Sequence, residues 1–279
     1  MKNLVVFFSL IVLLIANTAC DRLVSKKYIW EHEKMGWKLA WADEFDKPGL
    51  PDSNLWSYDT GGWGFGNHEL QYYTKNRLEN VRVEDGKLII EARREPWKDK
   101  KYTSTRITTS GKEAWLYGRF EIRAKLPRGI GTWPAIWMLP AQSTYGTGHW
   151  PDNGEIDIME HVGYNQGLIH GSTHSKKYYW RVGTQRTDSI RISDASEAFH
   201  NYAIEWDSNK IQMFVDDSLY FTSPNDKTGW EAWPFDKPFT IILNIAVGGD
   251  WGGVNGVDST IWPQRMEVDY VRVFQKRPR

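Results

Sequence analysis

From Trp37 onward, apolar and polar residues alternate in short runs, and no segment sustains a helical period. In Arg119 to Leu126, the residues Phe120, Ile122, Ala124 and Leu126 alternate with Arg119, Glu121, Arg123 and Lys125. Tyr202, Ile204 and Trp206 alternate in the same way with Ala203 and Glu205. Successive side chains of a strand point to opposite faces, so each run predicts a strand with one face in a core. Lys210 to Asp217 followed by Ser218 to Thr222 predicts a hairpin turning at Asp216-Asp217. Lys87 to Ala92, Phe239 to Ala246 and Val268 to Phe274 are denser apolar runs, suited to strands buried on both faces. The predicted class is all-β, most simply two antiparallel sheets packed face to face.

The first residues follow another pattern. Lys2 precedes an apolar run from Leu4 to Ile15, and small or polar residues lead to Ala19 and Cys20. This describes a secretory signal over 1–20, too short to span a bilayer comfortably. Cys20 is the only cysteine and stands where a bacterial lipoprotein signal places its lipidated residue, although Asn17 departs from the usual leucine. The expectation is an exported protein, either a lipoprotein of the cell envelope or surface, attached to the membrane through Cys20, or simply secreted. Residues 21–35 read as a charged tether and 36–279 as one domain without linker or repeat, expected to be monomeric. With no cysteine after Cys20, stability must come from a large core.

Composition narrows the partner. Lys plus Arg and Asp plus Glu both total 35, so there is no basic excess to attract nucleic acid. The 16 tryptophans offer flat faces for sugar rings as well as bulk for a core.

The candidate chemistry lies in Gly154-Glu155-Ile156-Asp157-Ile158-Met159-Glu160, where three acids interrupt an apolar strand. In an ideal strand Glu155 and Asp157 share a face and Glu160 points to the other. A β-bulge around Ile158-Met159 brings Glu160 back, and bulges re-aim side chains beside active sites in this way. Two carboxylates about 5–5.5 Å apart suit a retaining glycosidase, one as nucleophile and one as acid/base. The same spacing also suits a solvated polar face or a calcium cluster, and spacing alone does not choose. His170 and His174 lie four apart without a helical glutamate or further ligands, a poor zinc pattern. His161 either lines the acids' face or packs at the strand end, while His174 is expected to hydrogen-bond beside the acids.

The segment Trp150 to Gly163, WPDNGEIDIMEHVG, resembles the laminarinase branch of glycoside hydrolase family 16 in its bulged form. Trp41 to Asp46, Gly64 to Thr74, Gly131 to Met138, Leu243 to Gly249 and Met266 to Val273 resemble other segments of that family, in family order. The resemblance implies a concanavalin A-like β-jelly-roll sandwich with a concave substrate groove. It implies Glu155 as nucleophile, Asp157 as the acid that tunes it, and Glu160 as acid/base, without a catalytic cofactor. The implied partner is β-1,3-glucan, with mixed-linkage β-1,3-1,4-glucan or another polysaccharide as the alternative and non-catalytic glucan binding as a weaker one. Asn67, Arg106, Trp133 and Trp137 correspond to glycone-side residues, though Trp137 suits core packing almost equally. Trp150 and Asn244, within the matching segments, are expected at the groove as well. Glu44, Gly86 and Asp269 match positions that supply oxygens to a structural calcium ion far from catalysis.

Overall fold

The computed structural model describes residues 29–276. Its strands, in chain order, are β1 (Trp37–Asp43), β2 (Ser57–Tyr58), β3 (Gln71–Tyr73), β4 (Val81–Glu84), β5 (Lys87–Trp97), β6 (Lys100–Ser104), β7 (Arg106–Thr108), β8 (Gly118–Lys125), β9 (Thr132–Pro140), β10 (Glu155–Glu160), β11 (Leu168–His174), β12 (Arg186–Arg191), β13 (His200–Trp206), β14 (Lys210–Val215), β15 (Ser218–Pro224), β16 (Phe239–Val247) and β17 (Gln264–Lys276). A short helix, α1 (Gly249–Gly252), follows β16.

Two compact units divide the chain: residues up to Trp41 with those from Phe274, and Ala42–Val273. In the first, residues 29–34 form a helical turn within the stretch expected as a tether. Its His32 is buried and stacks on Phe274 at 4.8 Å. The expected signal and Cys20 lie outside the described residues, among which no helix is long and apolar enough to cross a membrane.

The larger unit is the expected all-β sandwich. A ten-stranded sheet follows the path β15–β14–β13–β8–β17–β5–β6–β3, with β1 paired to β17 and β4 paired to β5 off that path, and a seven-stranded sheet runs β12–β11–β10–β9–β16–β7–β2. The alternation read in the sequence decides which side chains lie between them. Phe120, Ile122 and Ala124 of β8 and Tyr202, Ile204 and Trp206 of β13 are buried from one sheet. Ile136 and Met138 of β9, with Ile156 and Ile158 of β10, are buried from the other. An aromatic edge closes the seam: Trp206 meets Phe239 of β16 edge-on at 5.4 Å, and Phe120 of its own sheet lies 6.2 Å from it. The isoleucine, methionine and phenylalanine side chains among them contribute about 1.5–3 kcal/mol each when fully buried.

The three dense runs fall in β5, β16 and β17, and all nine residues of β16 are buried. The hairpin at Asp216-Asp217 also forms, with φ of 48° and 65°. Two left-handed residues match the twist of a two-residue hairpin, and aspartate tolerates that region better than most. Asp216 is held there by His200 Nδ1 at 2.6 Å and by the Asn201 N–H at 2.8 Å.

Candidate active site

β10 lies inside the seven-stranded sheet, between β9 and β11. Its register with β11 pairs Glu155 with His174 and Asp157 with Ser172, then shifts before pairing Glu160 with His170. On the β9 side the shift falls between Asp157 and Met159. The extra residue is therefore at Ile158-Met159, the place where the sequence pattern would need it to bring Glu160 back. Both side chains are fully buried, whereas Glu155 and Glu160 are half-buried. One added residue in the apolar row thus sets all three acids on the face away from the core.

Each glutamate receives an indole N–H. Trp150 Nε1 donates to Glu155 Oε2 at 2.9 Å, and Trp133 Nε1 donates to Glu160 Oε1 at 3.0 Å. Asp157 sits between them, with His174 Nε2 3.2 Å from its Oδ2 and 3.9 Å from Glu155 Oε1. Burial pushes the carboxyl of Glu155 above the usual range, and the charge of Asp157 adds to this. His174, the Trp150 N–H and the more distant Arg106 pull it back. Burial also raises Asp157, while its hydrogen bond with Glu155 opposes the shift. Glu160 is pushed well above the usual range, first by burial and then by Asp157 and Glu155. Three acids this close cannot all ionise easily near neutral pH, so the cluster retains a proton.

Around the acids the structure gathers most of the residues picked out in the sequence. Trp133 and Trp137 both lie half-buried on β9 on the face of the acids, despite Pro134 between them. Trp137 donates from Nε1 to Asn244 Oδ1 at 2.7 Å, and Arg106 stacks over its ring at 4.6 Å. Arg106 is oriented by Asp59, 2.9 Å from Nε. Asn244 is itself buried and takes a supporting place: its Nδ2 donates to the Tyr73 hydroxyl at 3.0 Å. Tyr73 in turn donates to Glu69 Oε2 at 3.1 Å, and Gln71 Nε2 donates to the same oxygen at 2.6 Å. Asn67 Nδ2 reaches the other oxygen of Glu69 at 3.4 Å.

Several of these residues were not picked out in the sequence. Glu69 had a signal, because Glu69, Gln71 and Tyr73 are spaced by two and share a face where the chain is extended. Trp251 of α1 packs edge-on against Trp133 at 5.5 Å and His170 at 5.0 Å. Its signal was a tryptophan set among four glycines with nothing local to pack on. Asp59 carried no local signal.

His161 takes its packing alternative, which corrects its place among the groove residues. His161 does not line the face of the acids; it is fully buried, and its Nε2 accepts the Gly167 N–H at 3.0 Å. Burial depresses its pKa to about 4, with nearby His170 adding to the effect, so it is a neutral packing residue. The calcium set at Glu44, Gly86 and Asp269 does not fit the side chains as they stand. Arg272 holds Glu44 through two contacts at 2.7 and 2.8 Å, and Arg123 holds Asp269 at 2.6 Å. Guanidinium groups on both carboxylates oppose a cation there. Gly86, with φ of 70°, forms the turn between β4 and β5.

Comparison with known proteins agrees with this architecture. A beta-glucanase of Rhodothermus marinus is 59% identical over 244 residues, which span 86% of this chain and 85% of that protein. The X-ray structure of the laminarinase from Rhodothermus marinus superposes with a TM-score of 0.85 at 57% identity, covering 87% of this chain and 98% of that one. A non-specific endo-beta-1,3(4)-glucanase crystallised with an oligosaccharide at its active site gives 0.82 at 45% identity, covering 86% and 95%. These neighbours share the jelly-roll sandwich. The profile described as "Glycosyl hydrolases family 16" matches residues 68–272, and with these relatives it shows that the chain belongs to that family.

Proposed function

We propose that this chain is a retaining endo-β-1,3-glucanase, with Glu155 as nucleophile and Glu160 as acid/base. One observation carries the reading: the bulge sets Glu155, Asp157 and Glu160 on one face of β10, each glutamate bearing an indole N–H. Glu155 is the end of the cluster most assisted in ionising, by Trp150, His174 and Arg106. Its carboxylate attacks the anomeric carbon while Glu160, pushed upward by burial and by its acidic neighbours, protonates the departing glycosidic oxygen. Glu160, now ionised, then takes a proton from water as that water displaces Glu155 and restores the original anomeric configuration. Asp157 and His174 hold the Glu155 carboxylate in place between these steps. Trp133 and Trp137 present flat faces to glycone sugars, and Arg106 and Asn67 are suited to hold their hydroxyls.

The relatives named as beta-glucanase and laminarinase support β-1,3-glucan as the substrate. The likeness to a non-specific endo-beta-1,3(4)-glucanase makes mixed-linkage glucan the second reading. The test is release of reducing sugar from laminarin, lichenan and agarose by residues 21–279, beside Glu155→Gln. Rapid release from laminarin that vanishes in the variant is expected. A preference for lichenan would change the substrate, and binding without release from any of the three would remove the enzyme. Export and lipid attachment at Cys20 belong to the same reading. Labelled palmitate incorporated by the wild type and lost in Cys20→Ala is the expected result.

A further inference from the structure

We infer that the turn Tyr179-Trp180-Arg181 is a sugar-binding platform on the leaving-group side of the cleavage point, an inference that rests on the glucanase reading above. The turn lies between β11 and β12, just after His174, which pairs with Glu155. In the strand order β12–β11–β10–β9–β16–β7–β2, this is across β10 from Arg106 and Trp137. If those residues hold the glycone, the chain leaving the site runs out over β11 toward this turn.

The contacts form a continuous path from the nucleophile outward. Trp150, bound through Nε1 to Glu155, meets Tyr179 edge-on with centroids 5.5 Å apart. The Arg181 guanidinium lies 5.9 Å from the Trp150 ring and 4.9 Å from the Trp180 ring. Trp150 is 39% exposed and Trp180 is 46% exposed, so both rings keep a surface for solvent or sugar. A flat aromatic surface beside a fork of N–H donors matches a pyranose, whose C–H face is weakly polar and whose rim is hydroxyl.

The turn is also pre-shaped. Residues Trp180–Val182 form one 3-10 turn, closed by Gly183 at φ 70° with its N–H on the Trp180 carbonyl. Thr184 Oγ1 donates to the Lys177 carbonyl at 2.9 Å. A surface already held in its binding shape loses less entropy when the ligand arrives.

Two substrates separate this platform from the glycone side. Laminarin places sugars on both sides of the scissile bond, whereas an aryl β-laminaritrioside places sugars only on the glycone side. We expect Trp180→Ala to lower kcat/KM on laminarin about tenfold and leave the aryl substrate within twofold. Trp180→Phe should recover most of the loss. Added laminaribiose, competing with water for the glycosyl-enzyme, should capture a smaller share of product in Trp180→Ala. Equal losses on both substrates, or none on laminarin, would overturn the platform. A wild-type chain inactive on both would instead overturn the glucanase reading on which it rests.

Discussion

The two sheets treat carboxylates in opposite ways. On the ten-stranded sheet, buried or half-buried acids meet basic side chains: Glu121 with Arg119, Glu91 with Arg82 and Arg93, and Glu267 with Lys125. Glu95 of β5 is held below the usual carboxylate range by the Arg77 guanidinium, 2.6 Å away. On the seven-stranded sheet, Glu155, Asp157 and Glu160 have indole N–H groups, one histidine and each other, and all three are pushed upward. Among the described residues no lysine or arginine forms an ion pair with them. The same residue type therefore serves as a fixed charge in one sheet and as a proton carrier in the other. The neighbour decides which.

The sharpest break of this contrast is Glu155→Gln. It keeps the shape but removes the attacking carboxylate, and kcat on laminarin should fall about 10⁴-fold or more. A variant within tenfold of wild type would place the nucleophile elsewhere. On the structural sheet, Arg119→Met leaves Glu121 buried without the guanidinium that lies 2.5 Å from it. That should cost about 3 kcal/mol, or roughly 6–12 °C in Tm, with kcat little changed.

Asp157→Asn should act in the other direction. A carboxyl raised by folding binds more protons in the native state than in the unfolded chain, so its contribution to stability falls as pH climbs from the ordinary carboxylate range toward the raised folded value. The variant lacks that penalty. Its Tm relative to wild type should rise between pH 5 and pH 8, by about 2–4 °C for each kcal/mol removed. A difference that shrinks over that range would mean that Asp157 is not raised.

The smallest effect is expected from Trp133→Phe. The indole N–H favours the ionised form of Glu160, so its loss raises that carboxyl further. The alkaline limb of kcat/KM should move up by about half a pH unit, since Glu160 keeps its proton longer.

Much of this contrast was legible in the chain. Alternation identified β8 and β13, dense apolar runs identified β5, β16 and β17, and the parity of Glu155, Asp157 and Glu160 marked where a bulge would have to lie to unite them, which is where β10 contains one. Trp133 and Trp137 differ by four, a spacing that keeps two residues of a regular strand on one face. The remainder depends on pairings between distant segments. Asn244 meets Tyr73 across 171 positions, and Asp59 reaches Arg106 only because β2 lies beside β7. No local pattern encodes those meetings. His161 shows the reverse error: its neighbour Glu160 is functional, but a step along the strand reverses the face, and burial makes the imidazole a packing group.

The bulge at Ile158-Met159 also has a genealogical meaning. Deleting Met159 would leave Glu-Ile-Asp-Ile-Glu, in which regular alternation alone sets all three acids on one side. A relative lacking one residue here can therefore preserve the same trio of acids. Aligned column by column, the two glutamates would then appear misplaced by one position, although the chemistry they perform is the same. Homology in this strand is better traced by which way a side chain faces than by its ordinal place.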